Sequence, residues 1–93
     1  MDSIPLTLDD LAQARARIPA EALGTPLWRN DVLSRDFGLP IHFKLENLQP
    51  TGSFKLRGAS HKIDRLLAAG RGQRGVIAAS AGNHAQGVAR AAL

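Results

Sequence analysis

A chain of 93 residues has room for one modest domain, and with 44% hydrophobic against 22% charged residues it is composed to bury a core rather than to stay disordered. It has no cysteine, which excludes a disulfide framework and a zinc–thiolate site. The net charge of +4 invites a nucleic-acid reading, but the Lys and Arg residues are scattered from Arg15 to Arg90 and few aromatic residues (Trp28, Phe37, Phe43, Phe54) could stack on bases, so a solvated basic surface is the plainer account.

The acidic start, "MDSIPLTLDD", lacks the apolar run of a secretory signal, and no segment approaches membrane-spanning length. A cytoplasmic protein without membrane partners is therefore expected. "TLDDLAQARARI" predicts a first helix, with Thr7 as cap and Asp10 at the third helical position. "PAEALGTP" breaks it, so that residues 1–24 form an N-terminal helix and linker. "PLWRN" reads as a short extended piece, and "DVLSRDFG" as a short helix capped by Asp31 and stopped by Gly38. "IHFKLE" alternates Ile41, Phe43 and Leu45 with His42 and Lys44, as a strand does.

After the loop "NLQPTG", Ser53 is the expected N-cap of a helix whose apolar stripe runs through Leu56, Ala59, Ile63 and Leu66 and is widened by Leu67. Gly70 and Gly72 end it. "GVIAAS" is short, apolar and β-branched at its start, which predicts a buried strand; "AGNHAQGVARAAL" then turns helical. Strand, helix, strand, helix is the order of a parallel α/β sheet. In such sheets ligands bind beyond the carboxyl ends of the strands, so "TGSFK" and "SAGNH" are expected to face one crevice. The final helix runs to the last residue without a cap. Two parallel strands are also too few to be buried on both faces, so the expectation is a piece of a longer protein.

Two loops could carry chemistry. Lys55 stands at a helix start, where the backbone dipole disfavours an ammonium. A solvated lysine beside the stripe is the ordinary reading of such a residue. The functional one is an amine made available in neutral form, with Phe54 and Leu56 desolvating it, as Schiff-base chemistry with a carbonyl requires. In "SAGNH", Ser80, Gly82, Asn83 and His84 open a helix whose free N–H groups could hold a carboxylate, although on this loop alone a plain cap with a glycine turn is simpler. Neither the phosphate-loop pattern nor G-x-G-x-x-G opening a helix is present. His42, His61 and His84 lie far apart with no carboxylate at ligand spacing, so no metal site is expected.

"KLENLQPTGSFKLRGA" (44–59) and "GVIAASAGNHAQGVA" (75–89), with Lys55 and Asn83 spaced 28 residues apart and "TPL" (25–27) upstream, resemble the pyridoxal-phosphate enzymes of the tryptophan-synthase β fold (fold type II). Within them the chain is most similar to the threonine dehydratase (threonine ammonia-lyase) and serine racemase group. The resemblance spans residues 25–93 and implies a partial three-layer α/β/α fold with a parallel sheet, belonging to an incomplete catalytic domain. It implies that Lys55 forms the Schiff base with pyridoxal phosphate, with Phe54 beside it, and that Asn83 hydrogen-bonds the phenolic oxygen of the cofactor ring. Ser80, Ala81, Gly82 and His84 would receive the substrate carboxylate. Leu56-Arg57-Gly58 after the lysine, where cysteine and threonine synthases tend to have Asp-Arg, and His84 after the asparagine both favour the threonine dehydratase branch.

Racemases of the group place a serine where this chain has Ala81, which has no proton to give. The resemblance therefore implies β-elimination of a hydroxy-amino acid, L-threonine to 2-oxobutanoate and ammonia, by a homo-oligomer with no nucleic-acid or membrane partner. The alternatives are a racemase, a 3-hydroxyaspartate dehydratase, or a non-catalytic α/β remnant serving as a binding module. The family's glycine-rich phosphate cup and the partner of the pyridine nitrogen have no counterpart in the 93 residues, so the isolated chain is expected to be inactive.

Overall fold

The computed structural model describes residues 5–93; residues 1–4, part of the acidic start, lie outside the described residues. Helix α1 spans Leu8–Arg17 and opens with the predicted cap: the Thr7 hydroxyl accepts the Asp10 N–H at 3.2 Å, and the Asp10 carboxylate accepts the Thr7 N–H at 2.8 Å. Arg17 in its last turn reaches Asp64 at 2.7 Å. The expected linker contains one further helical turn, α2 (Ala20–Leu23), started by Pro19 and burying Ala22 completely.

Strand β1 (Leu27–Arg29) leads into helix α3 (Asp31–Phe37). The cap of α3 is Asn30, one residue before the Asp31 expected from sequence; its Oδ1 accepts the Leu33 N–H at 2.9 Å. Strand β2 (His42–Lys44) returns antiparallel to β1, with Leu27 opposite Lys44, Trp28 opposite Phe43 and Arg29 opposite His42. The facing Trp28 and Phe43 rings lie 6.5 Å apart, tilted by 49°, a cross-strand aromatic pair. A 3₁₀ turn, η1 (Glu46–Leu48), connects β2 to the segment before helix α4 (Lys55–Ala68), and helix α5 (Asn83–Ala91) completes the described chain.

Two expectations change. First, Ser53 does not cap α4. The helix begins at Lys55, Phe54 occupies the cap position with no side-chain bond, and the Ser53 hydroxyl is buried without a partner. Phe54 adopts helical backbone angles (φ −71°, ψ −8°), so the chain already winds at this residue before the regular bonding starts. Second, "GVIAAS" is not a buried strand. Among the described residues the sheet contains β1 and β2 alone, and it is antiparallel. Residues 75–80 have no strand partner and are largely exposed, Ile77 fully so. An apolar run becomes a buried strand only when neighbours complete its hydrogen bonds and cover both faces, and nothing in residues 5–93 does this.

The core is small. Leu56 and Ala59 of α4 and Ala22 of α2 are buried together with Thr25, Ser34, Gln49, Ser53 and Ser60. Ile63 and Leu66 on the same stripe are half-buried, whereas Leu67 is exposed. Helices α4 and α5 form the most extensive contact between elements. The accessible surface is 7292 Å², against about 5,200 Å² for a compact monomer of this mass. Leu27, Trp28, Val32, Phe37, Leu39 and Ile77 account for part of the excess, each more than half exposed.

Candidate active site

Lys55 is placed by the turn before it and the ion pair beside it. In the segment "TGS", Gly52 takes φ +76°, a left-handed conformation that L-residues other than glycine rarely adopt, and its N–H bonds the Gln49 carbonyl at 2.8 Å. This reverses the chain so that α4 starts at Lys55. Lys55 is half-buried, and its Nζ stands 5.1 Å from the centroid of the Phe54 ring. The ring face attracts an ammonium there, opposing the helix dipole.

Two residues on, Arg57 grips Glu46 with two bonds, Nε to Oε2 at 2.7 Å and Nη2 to Oε1 at 2.9 Å. The Glu46 carboxylate also accepts the Thr25 hydroxyl at 2.6 Å and the Gln49 amide at 2.9 Å. Gln49 spends its second donor on the Ala22 carbonyl at 2.6 Å. The bonds from Arg57 are the largest reason that the Glu46 carboxyl is lowered from 4.5 to about 2; burial opposes the shift, and Thr25 and Gln49 assist it. The same pairing raises Arg57. Lys44 adds bonds from Nζ to the Leu23 and Thr25 carbonyls. The "TPL" segment, η1 and the first turn of α4 are thus clamped around one carboxylate.

The second loop opens α5. The Ser80 hydroxyl accepts the N–H groups of Gly82 and Ala85, both at 3.1 Å, and so satisfies two donors at the start of the helix. Asn83 is the first helical residue, and the side chains of Ser80, Ala81, Asn83 and His84 are all exposed. The two loops meet through α5: Gly87 is buried, and a Cβ built on it would lie 3.3 Å from the carbonyl carbon, Cβ and carbonyl oxygen of Lys55.

Between these elements runs an open, mainly apolar groove of about 540 Å³, within the size range of small-molecule sites. Phe54, Lys55 and His84 all stand on its walls, with Ile63, Ile77 and Val88. The structure therefore brings three of the residues singled out in the sequence onto one cavity. Asn83 and the turn Ser80–Gly82 are not among its walls. Sequence reasoning missed Thr25, Glu46, Gln49, Arg57 and Gly87. For Arg57 a signal existed, since a guanidinium in the first turn of a helix opposes the dipole and calls for a carboxylate. Gly87 gave a weaker one, as a glycine inside a helix of otherwise good formers.

Comparison with known proteins supplies the family. The description "Pyridoxal-phosphate dependent enzyme" matches residues 18–93, most of the chain. The chain belongs to the pyridoxal-phosphate dependent enzymes. It is 52% identical over 87 residues to the L-threonine ammonia-lyase of Thermotoga maritima, covering 94% of this chain and 21% of that protein. It is 42% identical over 85 residues to the L-threonine dehydratase catabolic TdcB of Escherichia coli K12, covering 91% and 26%. To the protein of the same name from Staphylococcus aureus USA300 it is 48% identical over 85 residues, covering 90% and 24%. The chain thus spans about a quarter or less of the length of these relatives. No solved structure matches it.

The residues present suit the family's cofactor. A primary amine stands on the wall of an apolar groove, an aromatic ring lies beside it, and the start of α5 offers the N–H groups of Asn83 and His84 toward an acceptor. The buried hydroxyls of Thr51 and Ser53, on the turn before Lys55, have no hydrogen-bond partner, although neither residue is on the walls of the groove. Among the described residues no cluster of His, Asp or Glu could hold a metal ion, and no helix is long and apolar enough to cross a membrane.

Proposed function

We propose that this chain is the lysine-bearing part of a hydroxy-amino-acid ammonia-lyase that converts L-threonine to 2-oxobutanoate and ammonia. The observation that carries the reading is Lys55 on the wall of an apolar groove, held against the helix that begins with Asn83. The relatives, a threonine ammonia-lyase and two threonine dehydratases, supply the substrate. Lys55 would hold pyridoxal phosphate covalently through Nζ, Phe54 would lie against the ring, and Asn83 would bond the ring oxygen. The turn Ser80, Ala81, Gly82 with His84 would receive the substrate carboxylate.

When bound, the cofactor supplies an electron sink for the charge left at Cα. Displaced from the cofactor by the substrate amine, Lys55 Nζ would be free to remove the Cα proton. The Cβ hydroxyl would leave with that proton as water, and the enamine, released as Lys55 returns to its bond, would be hydrolysed to the 2-oxo acid and ammonia. Loss and uptake of one water balance the reaction. Ala81 has no hydroxyl to deliver a proton from the opposite face, which favours elimination over racemisation.

The large exposed apolar surface supports a further part of the reading. Residues 75–80 would join a parallel sheet whose other strands come from the remainder of a longer protein, giving the three-layer α/β/α arrangement. That protein would be a cytoplasmic homo-oligomer with a small amino-acid substrate and without nucleic-acid or membrane partners. The 93 residues alone would show no turnover.

The test is the full-length protein loaded with pyridoxal phosphate. L-Threonine should yield 2-oxobutanoate, and Lys55→Ala should remove both the activity and the visible absorbance of the lysine-bound cofactor. Normal turnover in Lys55→Ala would overturn the assignment, and D-serine as the main product from L-serine would replace it with the racemase.

A further inference from the structure

We infer that Gly87 is a positioning residue for Lys55: the missing side chain at this point of α5 sets how closely the Asn83 turn approaches the amine. The inference rests on Lys55 being the cofactor lysine.

The contact is with Lys55 itself. A Cβ on Gly87 would stand 3.3 Å from three Lys55 atoms, the carbonyl carbon, the carbonyl oxygen and Cβ. Ordinary carbon contacts lie near 3.5–4.0 Å. Two of the three atoms are main chain, in the first turn of a helix whose next residues are clamped by Arg57 to Glu46. They cannot rotate aside as the end of a flexible side chain would. The adjustment to an added methyl therefore falls on α5.

Helix geometry converts that adjustment into a movement at the site. Asn83 and His84 precede Gly87 by four and three residues, so all three share a face, and Asn83 lies about 6 Å away along the axis. Near the other end of α5, Arg90 is tied to Glu21 of α2 by bonds of 2.9 and 3.3 Å. A helix pushed at Gly87 and tethered at Arg90 pivots, so the displacement is largest toward Asn83. Intrinsic preference works the other way, since alanine in a helix interior is better than glycine by about 1 kcal/mol. Gly58 of α4 provides the contrast: a Cβ there would meet nothing within 4 Å.

The experiment uses the full-length holoenzyme. Borohydride reduction and peptide mapping first locate the cofactor; a label on any residue other than Lys55 overturns both the functional reading and this inference. With the label on Lys55, Gly87→Ala is compared with wild type and with Ala89→Gly, an exposed position on the same helix where only propensity changes. Gly87→Ala should stay folded by circular dichroism, shift the absorbance maximum of the bound cofactor, weaken cofactor binding about tenfold and raise the KM for threonine by a similar factor. Ala89→Gly should lower Tm and leave spectrum, cofactor affinity and KM unchanged. A Gly87→Ala protein with wild-type spectrum, affinity and KM, whatever its Tm, would overturn the inference while leaving Lys55 as the cofactor lysine.

Discussion

Replacing Glu46 by glutamine removes the charge at the centre of the clamp while keeping its shape. In the folded chain the carboxyl is held at about 2, against an ordinary 4.5. That gap corresponds to about 3 kcal/mol of stabilisation in the charged form. Solvent reaches the pair, 21% of the Glu46 side chain and 28% of that of Arg57 being exposed, which brings the figure down to about 1–2 kcal/mol. Because the folded value is depressed, the stabilisation is fully present above about 4.5 and fades as the pH falls toward 2. Glutamine offers one acceptor in place of two and turns an NH₂ toward the donors of Arg57, Thr25 or Gln49, so Glu46→Gln should lose the contribution outright. Urea unfolding of the full-length protein at pH 7 should show the variant weaker by about 1–2 kcal/mol. At pH 3.5 the difference should shrink by roughly two-fifths, since wild type is by then losing the same interaction. A difference of equal size at both pH values would refute the electrostatic account, and a variant as stable as wild type at pH 7 would refute the clamp.

Ser80→Ala should free two N–H groups at the start of α5 and cost about 1 kcal/mol, seen as roughly fivefold faster amide exchange at Gly82 and Ala85; unchanged protection there would show that the hydroxyl is no cap. Leu56 is 1% exposed, so Leu56→Ala should destabilise by about 2–5 kcal/mol in denaturant, and a loss below about 1 kcal/mol would mean that α4 is not anchored through this side chain.

How far the sequence carried the structure depends on the range of the interactions. Helix α1 could be read complete with its cap, because Thr7 and Asp10 satisfy one another within three residues. The stop of α3 at Gly38 and the strand at His42–Lys44 were local in the same way. Ser53 misled because its residue type is right for a cap, while the actual turn depends on Gly52 and on the helical angles of Phe54. "GVIAAS" has the composition of a buried strand, but strand formation is settled by neighbours that a one-dimensional pattern does not contain. At the site, Lys55, Phe54 and His84 could be picked out by motif and do share a groove. The roles of Glu46 and Gly87 could not, since one depends on partners 21 and 11 residues away and the other on the approach of two helices.

The clamp also has a consequence for the order of assembly. All of its members, Thr25, Glu46, Gln49 and Arg57, have been synthesised before α5 begins at Asn83. Chains fold from the N-terminal side as they emerge, and contacts between nearby residues close first. The turn that carries Lys55 can thus be set before α5 emerges, and the later helix arrives at a finished surface, with Gly87 as the point where it seats.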